Sequence, residues 1–142
     1  MENPTKMTLI DRSLYFKGLM LLIRKDQNIN EEEKRLMMRI GKIMGFEENF
    51  CKNTIKDILA NKNIDEAPPR FSNSYIAKCF IRDGIMISLV DKEMHTEELK
   101  WLKEIASVNG LENILQNDSS IVSTPKNIFD LENNLEVRKL NW

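Results

Sequence analysis

One stretch of this chain occurs twice. Residues 26–46 align without a gap on residues 91–111, at a constant offset of 65. Five of the 21 positions are identical: Asp26/Asp91, Glu32/Glu97, Glu33/Glu98, Ile40/Ile105 and Gly45/Gly110. Ordinary residue frequencies would give about one identity by chance. The apolar positions correspond as well: Ile29/Met94, Leu36/Trp101, Met37/Leu102, Ile43/Val108 and Phe46/Leu111. A repeat of this length restricts the architecture, because each copy must take one shape and the two must bury their apolar faces together.

That shape is helical. Apolar residues recur at three- and four-residue spacing along nearly the whole chain. Leu9, Ile10, Leu14, Phe16, Leu19, Met20, Leu22 and Ile23 predict a first helix over about 7–25. Its second half, Leu19-Met20-Leu21-Leu22-Ile23, is apolar on every side and belongs in a core. Asn30 followed by Glu33 is a capping box for a second helix, which Gly45 ends. A third is predicted over about 47–61, with Phe50, Ile55, Ile58 and Leu59 inward.

Pro68-Pro69 breaks the pattern, and the chain from 62 to 72 is expected to link the two repeats. Ser72 or Asn73 then caps a fourth helix reaching about Val90. Its last part, Ile85-Met86-Ile87-Ser88-Leu89-Val90, has strand-like propensity, but its repeat mate is helical. A fifth helix is expected over about 96–109, a short sixth over 111–117, and a final one over 125–138 with Pro125 at its first position. Leu131, Leu135 and Leu140 would dock that tail on the body, with Trp142.

The expected fold is therefore all-α: a single-domain bundle of about seven helices with internal duplication, spanning 1–142. Repeat one covers about 8–61, repeat two about 73–117, and the C-terminal helix about 125–138. Helices one and four are expected to pair at the centre, each covering the face the other cannot bury alone.

Bulk properties exclude several functions. With 21 basic and 22 acidic side chains, there is no cationic surplus to displace counterions, so nucleic-acid binding is not expected. The longest charge-free apolar runs, 18–23 and 84–90, fall far short of the ~20 residues of a transmembrane helix. The first residues lack the apolar segment of a signal peptide. Cys51 and Cys79 are expected as buried free thiols in a reducing cytoplasm. Eight methionines at core spacing fill gaps between helices. No phosphate loop, Ser-His-Asp set or CxxC occurs.

The candidate chemistry lies in the doubled turn. It runs from Asp26 through Ile29 to Glu32-Glu33, and from Asp91 through Met94 to Glu97-Glu98. The repeat leaves open whether the two turns lie near each other or at opposite ends; together, Asp26, Glu33, Asp91 and Glu98 would supply hard oxygen ligands, suited to Ca²⁺, Mg²⁺ or Mn²⁺ rather than Zn²⁺. The competing reading is structural: acids in a first helical turn favour the helix dipole, and Glu33 and Glu98 suit capping boxes. An EF-hand is ruled out, since Glu31 stands where its loop requires Gly and Met37 where it requires Glu. A di-iron bundle needs two Glu-x-x-His motifs, and His95 is the only histidine; it is expected at the surface or at a cap. Asp83, inside the apolar fourth helix, requires a partner. Lys17 or Arg82 would make an ion pair, or the acid would extend the ligand set.

An Asp-x-x-apolar-x-x-Glu-Glu turn before an amphipathic helix ending in Gly-apolar resembles the TerB-like domain of tellurite-resistance proteins. The likeness covers about residues 8–117. The Gly expected after the Asp is Gln27 in one copy and Lys92 in the other. The resemblance implies an all-α duplicated bundle and a non-enzymatic cytoplasmic protein of stress or metal-oxyanion resistance. It also implies an acidic cluster for a divalent cation, carried here by Asp26, Glu33, Asp91 and Glu98, and a partner protein, membrane-associated or otherwise. The alternative expectation is a metal-independent helical adaptor, docking a protein at the Pro68-Pro69 loop or the C-terminal helix. An enzyme is not expected, because no nucleophile and base can be named.

Overall fold

A computed structural model describes residues 3–25, 29–61, 66–90, 96–115 and 124–142. Among these residues there are six α-helices and no strand: α1 (Leu9–Lys25), α2 (Glu31–Ile43), α3 (Glu48–Ala60), α4 (Ser74–Leu89), α5 (Thr96–Val108) and α6 (Ile128–Asn134). One turn of 3-10 helix, Glu136–Lys139, follows α6. No helix among the described residues is long and apolar enough to cross a membrane.

The helix starts follow from local chemistry. At α1, the Thr8 hydroxyl accepts the Asp11 amide while Asp11 accepts the Thr8 amide, both at 3.0 Å. At α2 the expected capping box forms: the Asn30 side chain accepts the Glu33 amide at 2.8 Å, and Glu33 accepts the Asn30 amide at 3.4 Å. Asn73, not Ser72, caps α4 through the Ile76 amide at 2.9 Å. Ile85 to Leu89 are helical despite their strand propensity, since the burial of α4 on all sides outweighs it.

The ends of α2 and α5 are built alike. Gly45 (φ 76°) and Gly110 (φ 73°) both take the left-handed conformation that L side chains disfavour. Gly45 donates to Lys42 and Phe46 to Gly41, each at 3.0 Å. Gly110 donates to Ser107 at 3.2 Å and Leu111 to Ala106 at 2.7 Å. These are two Schellman motifs. α2 and α5 also begin 65 residues apart, at Glu31 and Thr96.

α1 and α4 pack on each other at the centre, with α2 and α3 against α1, α5 against both, and the 3-10 turn against α4. Two glycines bring neighbours close. A Cβ on Gly18 would lie 2.8 Å from the Phe80 ring, and one on Gly84 2.7 Å from Leu102 and 3.1 Å from Leu22. Tyr15, Phe16, Leu19, Met20, Leu22 and Phe80 are fully buried there. The segment before α4 is tied down by side chains. Glu66 accepts Arg24 at 2.6 Å and Lys25 at 2.8 Å, and its carbonyl accepts the Trp101 indole at 3.1 Å. Asn109 donates to the Pro69 carbonyl and accepts the Phe71 amide, both at 2.9 Å.

Three expectations are corrected. Residues 111–115 form a turn, in which Ile114 donates to Leu111, and not the start of a sixth helix. So short a run cannot offset the cost of nucleating a helix. The final helix does not run unbroken over 125–138. Asn127 caps α6 through the Asp130 amide at 2.8 Å, and the chain becomes extended at Leu135 before the 3-10 turn. The amides that would continue α6 are captured elsewhere, by Asp83. Lastly, Phe50 is 45% exposed and Cys51 takes the inward place in α3. Leu131, Leu135 and Leu140 are buried, as expected of a docked tail. Trp142 stays half-exposed, over the Arg12 guanidinium at 4.5 Å.

Candidate functional site

Two of the four predicted ligands come together. Glu33, in the first turn of α2, and Glu98, in the first turn of α5, line one cleft of about 500 Å³. Glu32 joins them, and the tail contributes Lys126, Asn127 and Ile128. Ile23, Leu36, Ile87 and Val90 form the apolar floor. Asp26, Asp91 and His95 lie outside the described residues.

The two acids differ in setting. Glu33 is half-buried and holds the α2 capping box. Glu98 is 4% exposed and accepts the Ser88 hydroxyl of α4 at 3.0 Å. Burial of a carboxylate is tolerated only with hydrogen-bond donors, and Ser88 is one such donor. Both residues therefore have structural work, which is the reading that competed with metal ligation. Among the described residues, no group of three His, Cys, Asp or Glu side chains is close enough to hold a metal ion.

Asp83 is the second acidic centre, and it is fully buried. The expected ion pair with Lys17 or Arg82 is not what holds it. Its Oδ2 accepts the Tyr15 hydroxyl at 2.5 Å and the Val137 amide at 3.0 Å, while Oδ1 accepts the Glu136 amide at 2.5 Å. These three donors are neutral. Burial pushes the carboxyl up to about 7, against the opposing pull of the three hydrogen bonds. The same enclosure raises Tyr15 well above its ordinary value, first by burial and then through the Asp83 charge.

Asp11 is a third buried acid, 2% exposed. It accepts the Ser72 amide at 2.8 Å and the Ser72 hydroxyl at 2.5 Å, besides the Thr8 amide. Burial raises this carboxyl, but the donors of Ser72 and Thr8 together outweigh it and hold the group below its ordinary value. Asp11 thus fastens the start of α1 to the segment that enters α4.

Cys51 and Cys79 are buried free thiols, as expected. Burial raises both, and Cys79 to about 12, so neither is a ready nucleophile. A separate cleft of about 420 Å³ lies between α2 and α3, lined by Met38, Arg39, Lys42, Phe46, Glu48 and Cys51. Beside it Phe46 and Phe50 stack with centroids 5.0 Å apart.

The tail's share of the acidic cleft was missed at the level of sequence. Asn127 carried a readable signal, an Asn three residues before Asp130. Nothing local linked it to Glu33. No protein family, no curated protein and no solved structure matches this chain.

Proposed function

We propose that this chain is a non-enzymatic, duplicated TerB-like module that takes a divalent cation weakly in its acidic cleft. The observation that carries the reading is the cleft itself. Glu33 and Glu98 occupy equivalent places 65 residues apart, and both line one opening beside Glu32. Glu32, Glu33 and Glu98 line a solvent-reachable opening together with Lys126, and although no three acids among the described residues are close enough to hold an ion as a group, hard oxygen donors favour Ca²⁺, Mg²⁺ or Mn²⁺. Solvent water would complete the coordination shell of such an ion, giving a weak site. The matched starts of α2 and α5 and their paired Schellman ends support duplication of one helix–turn–helix unit within a single domain.

Titration calorimetry of the full chain with Ca²⁺, Mg²⁺, Mn²⁺ and Zn²⁺ tests this. Heat is expected with a hard cation and is lost in the Glu33→Gln, Glu98→Gln double variant. Absence of heat with all four ions, or heat unchanged in the double variant, contradicts it.

The second reading, a metal-independent adaptor, is favoured by the aromatic surface on α3. Phe50 stays 45% exposed next to the α2–α3 cleft, which Arg39 and Lys42 border. Under this reading Phe50→Ser abolishes partner binding and leaves cation heats unchanged.

A further inference from the structure

The last nineteen residues lie across the helical body as a strap, and their attachments are of two kinds. On either side of its 3-10 turn the strap is held by polar contacts to α2 and to the N-terminal segment. The Arg39 Nη2–Glu132 Oε2 ion pair, at 3.1 Å, fixes α6 to α2. Met7 donates to the Asn141 carbonyl at 2.7 Å and Asn141 to the Thr5 carbonyl at 2.8 Å. In the middle the strap is held from the core. One carboxylate, Asp83, takes the first two amides of the 3-10 turn and the hydroxyl of Tyr15 from α1. The strap and the central helix pair therefore share this buried acid, beside the apolar packing of Leu131, Leu135, Val137 and Leu140.

We propose that Asp83 is a proton-controlled clasp: with its proton on, it holds residues 124–142 against the body, and with its proton off, the strap opens more often and as a unit. The argument is about solvation. An ionised Asp83 in the closed state has given up water for three neutral donors, with no cation bonded to it among the described residues. Opening the strap returns the group to water. A protonated Asp83 has no charge to resolvate, so it has no such reason to open. Proton uptake keeps the contacts. The acid hydroxyl donates to the Tyr15 oxygen in place of the reverse, and each carboxyl oxygen retains a lone pair for a strap amide.

The titratable and charged groups facing this acid come from three elements. From α1 comes Tyr15, raised well above its ordinary value. From α4 come Cys79, raised to about 12, and Arg82, whose Nε is buried without a hydrogen-bond partner. From the strap come Glu136, whose charge adds to the burial effect on Asp83, and Lys139, ion-paired to Glu136 at 2.8 Å. α5 faces this part of α4 with Leu102 at Gly84. Asp83 itself, pushed up to about 7 when closed and returning toward 3.8 when open, changes charge in between. The closed state therefore binds the proton more tightly, and closure weakens as pH rises across that window. Because Lys126, Asn127 and Ile128 wall the acidic cleft, the same opening widens the cleft. The clasp stands whether or not the cleft holds a cation.

Amide hydrogen exchange of the full chain between pH 4 and 7.5, corrected for intrinsic rates, tests the clasp. The Glu136 and Val137 amides are expected to be less protected than those of residues 19–23 in α1. Their protection should fall with rising pH, by up to about tenfold per unit. In Asp83→Asn it should be flat. Tyr15→Phe keeps the acid and removes a donor that lowers it, so the fall should persist with its midpoint moved to higher pH. The proposal is overturned by strap protection that ignores pH in the wild type, by an equal fall in Asp83→Asn, or by strap and α1 amides exchanging together. An unmoved midpoint in Tyr15→Phe overturns it too, should Asp83→Asn fail to fold.

Discussion

Asp83 and the Glu33–Glu98 pair are acids under opposite regimes. Asp83 is sealed in the core, and neutral donors occupy both of its oxygens. Glu33 is half-buried and Glu98 buried, yet both line a cleft that reaches solvent, and each has a capping or hydroxyl partner. A sealed acid spends its hydrogen-bonding capacity on the fold. An acid that lines a cleft is, under the proposal above, also within reach of an ion from solution. Acidity in the sequence is therefore no guide to function until the donors around each carboxylate are known.

The largest effect separating the two regimes is expected at the sealed site. Asp83→Ala leaves the Glu136 and Val137 amides and the Tyr15 hydroxyl without their acceptor. At ~1–3 kcal/mol for a buried polar group left unpaired, a loss of about 3 kcal/mol is expected by urea denaturation. A loss under about 1 kcal/mol would show that the strap closes without the acid.

Next comes Asp11, a buried acid of the opposite sign. Its capping contact with Thr8 and its two Ser72 contacts make Asp11→Ala worth about 2 kcal/mol. The pH dependences of the two acids should run against each other. Asp11 is held below 3.8, so its contribution is present above that value and disappears as the pH falls through its lowered folded value. Asp83 is raised from 3.8 to about 7, so its contribution is present below 3.8 and disappears as pH rises to about 7. Denaturation of the wild type and both variants from pH 3 to 8 checks the two slopes; parallel slopes would break the contrast.

At the open site the effects on stability are smaller. Glu98→Gln keeps an acceptor for Ser88 and should cost under about 1 kcal/mol without added metal. Glu33→Gln keeps the capping box, since Gln serves at that position, and should cost only a few tenths of a kcal/mol. Both should remove the stabilisation that millimolar Ca²⁺ or Mn²⁺ confers on the wild type in thermal melts. Equal stabilisation of variant and wild type would place the ion elsewhere.

The difference between the regimes also explains what could be read in advance. The starts of α2 and α5 and their glycine ends were legible because each rests on residues within a few positions: Asn30 with Glu33, Gly45 with Phe46. The burial of Leu19 to Ile23 was legible because no face of that run is polar. The cage of Asp83 was not, since its donors lie 68, 53 and 54 residues away in Tyr15, Glu136 and Val137. The same distant capture broke the final helix, against the local signal of Pro125 and Leu131. In α3 the inward position moved by one residue, from Phe50 to Cys51, because Phe50 stacks outward on Phe46. At the candidate site, the correspondence of Glu33 with Glu98 followed from the repeat, but the repeat left open whether the two turns lie near each other or at opposite ends, and Lys126 arrived from a tail that has no repeat mate.

The most direct test is Mn²⁺ added in sub-stoichiometric steps to the full chain, followed by paramagnetic broadening of backbone amide signals. A cation in the acidic cleft should first erase the signals of Glu33, Glu98 and Asn127, and leave those of Glu136 and Val137, beside Asp83, intact. Broadening that begins beside Asp83, or that spreads evenly over surface acids such as Glu48 and Glu112, would contradict a site built from the two repeated turns.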